Sequence, residues 1–306
     1  MTLAANALVF VTNERAGTLS VIDHDRVVAT TKLCMRARGI ALSPDGRRLY
    51  VAVSHFRDKP ATSPDEVVAV DAATFKIVKH YKAGTDPEGI AMSPDGKWFT
   101  VSNEDAGTAS IVATRDGSTM AALVTGTEPE GVGVSPDGRW VYVTGETSNT
   151  ITVIDAKMAS VVANIMVDAR PRGVAFTPDG ARAYVTCEVA GAVDVVDVAG
   201  RRVVARIKLR PVDHPVGVTI TRDGRIVFAA TGRGNAIVKI DTATNRVLQT
   251  IAAGQRPWGI ALSRDGKTLY AANGLSNDVS VIDVAAGRAV ATIRVGDGPW
   301  GVCVGR

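Results

Sequence analysis

Seven positions along the chain, Arg38, Glu88, Glu130, Arg172, Val216, Trp258 and Trp300, have matching neighbours but different chemistry. Each is followed by glycine, and all but Arg38 are preceded by proline. Two carboxylates flanked by two guanidiniums could pair among themselves or draw in a cation, while two indoles and a valine offer an apolar face. A polar end joined to an aromatic end is the usual composition of a small-molecule site. A second set lies eight residues after a recurring Asp-Gly turn: Ser54, Glu104, Glu146, Glu188, Gly232 and Gly274, with Glu14 in the corresponding place near the amino terminus. Placed together, these carboxylates predict a negative arc that attracts a cation, an amine or the basic patch of a partner protein. Glu88 and Glu130 would repel each other unless a cation, Arg38 or Arg172 relieved them.

Groups for covalent or metal chemistry are sparse. His55 and His214 lie in the two segments that lengthen the repeat, and they are the candidates for a general base if the protein is an enzyme. No Ser/His/Asp set and no Cys/His set with zinc spacing can be assembled. A hard cation needs six or more convergent oxygens, and no Asp-x-Asp spacing supplies them, so no metal is expected. Cys34, Cys187 and Cys303 sit at unlike places, imply no disulfide, and include no nominated nucleophile, since a carboxylate beside Cys187 discourages its thiolate. No Cys-x-x-Cys-His is present for covalent haem, and no cofactor is expected.

These residues are positioned by a repeat. Pro-Asp-Gly or Arg-Asp-Gly ends at Gly46, Gly96, Gly138, Gly180, Gly224 and Gly266, at spacings of 50, 42, 42, 44 and 42. Each unit holds short runs rich in Val, Ile, Thr and Tyr, bounded by Gly, Asp, Asn and Pro, which is the grammar of strands. No segment has sustained helical periodicity. Four antiparallel strands every 42 residues or so describe an all-β, seven-bladed β-propeller spanning residues 1–306. The run from Pro299 to Val304 is a first strand without partners downstream, whereas Leu8–Asn13 and Leu19–Asp23 are a second and third strand without a first. The closing blade is therefore expected to be shared by the two termini. Chain direction puts the Pro-x-Gly residues, the loops after the second strands and the lengthened segments on one face, and the Asp-Gly turns, read as structural, on the other.

The runs Phe10-Val11-Thr12-Asn13, Tyr142-Val143-Thr144-Gly145 and Tyr184-Val185-Thr186-Cys187, with their Val-Ile-Asp strands and Ser/Thr-Pro-Asp-Gly turns, resemble the YVTN family of β-propeller repeats over essentially the whole chain. Within it, Arg36-Ala37-Arg38-Gly39, Pro87-Glu88-Gly89, Pro129-Glu130-Gly131, Val167–Arg172, Pro215–Val218 and Leu275–Asp283 are similar to the PQQ-dependent catabolism-associated β-propeller proteins. The resemblance implies a periplasmic protein serving beside quinoprotein alcohol oxidation.

Composition narrows the partners. Lys plus Arg number 35 against 31 acidic residues, a net charge of +4, too small a surplus to indicate nucleic acid. The densest basic run, Arg201–Arg210, falls on a predicted outermost strand, where alternating charges block edge pairing. No apolar stretch is long enough to span a membrane. Ala5-Asn6-Ala7 looks like the tail of a signal cleavage site, although no basic segment precedes Leu3, so a periplasmic location is expected with a cytoplasmic one as the alternative. The sequence thus points to a monomeric, non-catalytic propeller binding a small molecule or partner protein at one channel mouth. The competing reading is a lyase or lactonase-type enzyme using rim His and Glu residues.

Overall fold

The computed structural model describes residues 7–33, 36–56 and 65–305. These form seven four-stranded antiparallel sheets arranged as the blades of a propeller. Blade 1 runs outward through Arg36–Leu42, Arg48–Ser54, Glu66–Asp71 and Ile77–Lys82. Blades 2 to 6 follow within residues 87–124, 129–166, 171–208, 218–252 and 257–294. The first strand of each blade touches the first strand of the next, all the way round. Blade 7 closes the ring as the sequence predicts: Pro299–Val304 pairs with Val9–Asn13, Phe10 opposite Cys303 and Val11 opposite Val302.

Burial follows the repeat. The second and third strands are apolar on both faces because each blade is sandwiched between two others, and side chains such as Phe10, Tyr142, Tyr184 and Phe228 vanish into the gaps between blades. The fourth strands are the ones most exposed to water, and in Arg202–Lys208 the exposure alternates, with Arg202, Arg206 and Lys208 exposed. The Asp-Gly turns are held by their own residues: Asp45 accepts from the Ser43 hydroxyl at 2.6 Å and from the Arg47 N–H at 3.0 Å, and Gly46 turns back at φ 75°. The same set recurs around Asp95, Asp137, Asp179, Asp223 and Asp265, and these hydrogen bonds hold all six carboxyls below their usual range.

The glycine of each Pro-x-Gly is required by proximity. A Cβ built on Gly131 would lie 1.9 Å from the carbonyl oxygen of Arg172 in the next blade, and one on Gly89 would lie 2.3 Å from that of Glu130. The hydroxyl of the Tyr-Val-Thr run ties this approach together. Thr144 Oγ1 donates to the Arg172 carbonyl at 2.8 Å while accepting the Gly131 N–H at 2.8 Å. Ser102 bridges Gly89 to Glu130 in the same way, and Thr12 bridges Gly301 to Arg38, across the junction of the termini.

Two outcomes follow from this packing. Gly131→Ala should lower unfolding free energy by at least about 2 kcal/mol, measured by denaturant unfolding, because the added methyl meets backbone that cannot move aside. Deleting residues 299–305 should abolish the single cooperative thermal transition, since it strips the inner strand from blade 7.

Candidate functional site

The short inner strands bring the seven variable residues together at one end of the axis. Arg38 lies against Glu88, and Arg172 Nη1 reaches Glu130 at 2.6 Å. The indoles of Trp258 and Trp300 lie 6.0 Å apart, with the Arg38 guanidinium 5.6 Å from the Trp300 ring and that of Arg172 5.4 Å from Trp258. Val216 is buried between the charged and aromatic arcs. The predicted circle is therefore a contact circle.

Its charged part is a buried layer. Glu88 is 0 % exposed, Glu130 4 %, Glu146 7 %, Glu188 5 % and Arg172 9 %. The layer divides into two groups of two guanidiniums and three carboxyls. In the first, Arg38 Nε donates to Glu14 at 2.8 Å, Arg36 Nε reaches the same oxygen at 3.2 Å, and Arg36 also lies on Asp86 and within 3.1 Å of Glu88. In the second, Arg172 contacts Glu146 at 2.5 Å and Glu188 at 2.7 Å, and Arg170 closes on Glu146 and Glu188. Most carboxylates of the expected acidic arc, Glu88, Glu130, Glu146 and Glu188, are thus paired with arginines and buried.

Three carboxyls around two guanidiniums leave a surplus that a buried layer relieves with a proton. Burial, reinforced by Glu130 against the pull of Arg172 and Arg170, pushes Glu146 up to about 7. Burial resists ionisation of Glu130 too, but Arg172, Arg38 and the hydrogen bond from Glu146 outweigh it, and Glu130 titrates below its usual range. In the other group burial raises Glu88 well above the carboxylate range, with Glu130 adding to the shift and Arg38 and Arg36 opposing it. Among the described residues, oxygen Oε1 of Glu88 has no hydrogen-bond donor despite the nearby Arg36.

Among the described residues, Asp86, Glu88 and Glu104 bring carboxylate oxygens within 4.8 Å of one another. Arg36 already lies on two of the three, and the set falls short of the oxygens a hard cation needs.

The histidines stand apart from this layer. His55 Nδ1 is 2.8 Å from Asp65, and His214 Nδ1 is 3.1 Å from the carbonyl of Glu188. Those ring nitrogens thus sit on a carboxylate and on a backbone carbonyl. Asp213 in the second lengthened segment is clamped by Arg210 at 2.9 Å. The first lengthened segment is described at Ser54–Phe56, while Arg57–Pro60 lie outside the described residues, as do Ala5, Asn6 and Cys34. Cys187 is wholly buried in the core between blades 3 and 4, and its thiol is pushed up by burial, then by Asp194 and Asp168, rather than by the adjacent Glu188. Cys303 is half-buried in the inner strand of blade 7, and burial raises its thiol.

A third circle completes the site: Arg36, Asp86, Glu128, Arg170, His214, Arg256 and Gly298, each two residues before the axial one. Asp86, Glu128, Arg170 and Arg256 adopt left-handed backbone, φ 51° to 61°. Their carbonyls thereby accept the N–H of the second circle, Glu104 to Asp86 at 2.9 Å, Glu146 to Glu128 at 3.0 Å, Glu188 to Arg170 at 2.8 Å and Gly274 to Arg256 at 2.9 Å. Constant spacing before Pro-x-Gly was the available signal for this circle.

The aromatic arc remains accessible. Beside the indoles a cleft of about 230 Å³ is lined by Trp258, Trp300, Arg15, Arg38, Arg256 and Leu275. The Arg256 guanidinium lies 5.1 Å from the Trp258 ring and makes no ion pair among the described residues. Arg15 is held by Asp297 at 2.9 Å. Trp300 Nε1 is enclosed without an acceptor among the described residues.

The model of one family, described as YNCE-like beta-propeller, matches residues 1–305. No functionally curated protein matches the sequence. A chain of hydrazine synthase from Kuenenia stuttgartiensis superimposes with TM-score 0.76 at 25% identity, over 87% of this chain and 88% of that one. A functionally unknown protein from Desulfotomaculum acetoxidans gives TM-score 0.82 at 14% identity, over 98% and 99% of the two chains. A candidate 6-phosphogluconolactonase from Bacteroides fragilis gives 0.82 at 17% identity, over 100% and 99%. At such identities the latter two similarities establish the shared ring alone.

Glu146 makes the layer sensitive to pH. A carboxyl raised in the folded state contributes stability that is complete below its ordinary range near 4.5 and is lost as pH rises through about 7. In Glu146→Gln the loss of melting temperature between pH 5 and pH 8 should be smaller than in the unaltered protein. An unchanged difference would show that Glu146 ionises freely.

Proposed function

We propose a function from the premise that this chain belongs to the YNCE-like β-propeller family: it is a binding protein, and its ligand seats on the aromatic arc of the mouth. The ligand is a small molecule with a flat apolar face for Trp258 and Trp300 and negative charge for Arg256. One observation carries this reading. At seven equivalent positions the four charged side chains are consumed by a paired layer, whereas the two indoles line an accessible cleft beside a guanidinium with no acid partner among the described residues. Cation–π contacts from Arg38, Arg172 and Arg256 hold the indoles in place before any ligand arrives. Glu88, Glu130, Glu146 and Glu188 then serve as the scaffold of the mouth, and Glu104 lies beside them.

The resemblance to the PQQ-dependent catabolism-associated propellers supports a periplasmic setting beside a quinoprotein oxidation pathway. An enzymatic reading rests on His55, whose ring is oriented by Asp65, and predicts turnover that collapses in His55→Ala while binding persists.

The test is calorimetric titration with a small aromatic carboxylate such as 2-naphthoate. Trp258→Ala and Trp300→Ala should each weaken binding by about 2 kcal/mol, the scale of an aromatic contact at the centre of a site. Glu130→Gln should lower the melting temperature and leave affinity nearly unchanged. Equal affinity in all four proteins would overturn the proposal.

A further inference from the structure

The opposite mouth of the channel breaks the repeat in a different way. In four blades the residue before the Asp-Gly turn is Pro44, Pro94, Pro136 or Pro178, but in blades 5 and 6 it is Arg222 and Arg264. The turns themselves do not explain the change. Thr221 and Asp223 make the same hydroxyl-to-carboxylate bond at 2.5 Å, and Ser263 and Asp265 at 2.7 Å, as their counterparts do elsewhere. Both arginines are exposed, and neither guanidinium makes an ion pair or hydrogen bond among the described residues.

They stand over a cavity of about 660 Å³, the volume of a pocket for a small organic molecule. Its wall is built from the lower ends of four inner strands, with Leu42, Ile220, Leu262 and Val304 half-buried. Gly305 occupies the place taken in the six Asp-Gly turns by serine or threonine and adds no side chain to the wall. Asp223 and Asp265 also line the cavity, but their carboxylates are spent on the turns, which hold them below their usual range. Segments 222–225 and 264–267 each carry two cationic side chains and one acidic one, whereas 44–47, 94–97 and 136–139 carry one of each. The positive excess therefore sits on the side of the mouth where the apolar wall is open.

We propose that this cavity binds an amphipathic anion, with the apolar body against the strand ends and a carboxylate or phosphate head against Arg222 and Arg264. A concave wall favours a free small molecule over a flat lipid surface. The proposal is independent of the aromatic site at the other mouth.

The sequence supplies its own control variant. Arg222→Pro/Arg264→Pro restores the residue that four other blades carry at a position whose N–H makes no hydrogen bond among the described residues, so the fold should survive with an unchanged melting temperature. Sodium decanoate, titrated below its micellar concentration, should bind the unaltered protein and bind the double variant about tenfold more weakly. Arg222→Ala/Arg264→Ala should show the same loss, and Trp258→Ala should show none. The proposal is overturned if decanoate does not bind, if it binds all variants alike, or if the loss follows Trp258. Sedimentation with phosphatidylglycerol vesicles that depends on both arginines, without binding of free decanoate, would assign the face to a membrane surface and also overturn it.

Discussion

The close approach of the inner strands governs the rest of the molecule. Seven first strands meet around the axis at a separation that forbids a Cβ, as Gly131 against the Arg172 carbonyl and Gly89 against that of Glu130 make plain. A hydroxyl in the neighbouring strand locks several of these approaches by bonding to both blades. Whatever residue stands between the proline and the glycine is thereby pressed toward the axis with its counterparts, and charged residues placed there must be neutralised by one another.

That requirement separates the mouth into two materials. Arg36, Arg38, Arg170 and Arg172 meet six carboxyls in a layer that is largely buried except at Arg170, and burial raises Glu146 and Glu88 above the ordinary carboxylate range. Such layers are costly to desolvate and costly to break, so they fix geometry better than they add stability. On the other side, indoles need no counter-ion. Trp258 and Trp300 fill the circle as apolar surfaces, with arginines at their edges and a cleft beside them, which is where the proposed flat anion would seat.

Much of this was legible in the residues. The turn spacing gave seven blades and the join between the termini because each Asp-Gly turn is locally determined, by its glycine and by the Asp carboxylate that caps it. The unequal circle at Pro-x-Gly was visible for the same reason. Its character was not. Sequence places Glu88 and Glu130 on a rim, where charges are ordinarily hydrated, and burial to 0 % and 4 % emerges only from the closeness of the strands. The constant spacing before Pro-x-Gly marks Arg36, Asp86 and Arg170 as equivalent positions, but their pairing, Arg36 on Asp86 and Arg170 on Glu146, joins residues far apart along the chain and emerges only from the fold. Arg256, without an ion pair among the described residues, stands out only against the paired arginines beside it.

The most direct test of a mouth divided into a closed ionic layer and an open aromatic receptor is the position of a bound anion. A crystal soaked in 6-bromo-2-naphthoate should show anomalous bromine density against Trp258 and Trp300, with Arg38–Glu88 and Arg172–Glu130 still in contact. Bromine density among those carboxyls, or an ionic layer opened to admit the ligand, would contradict it.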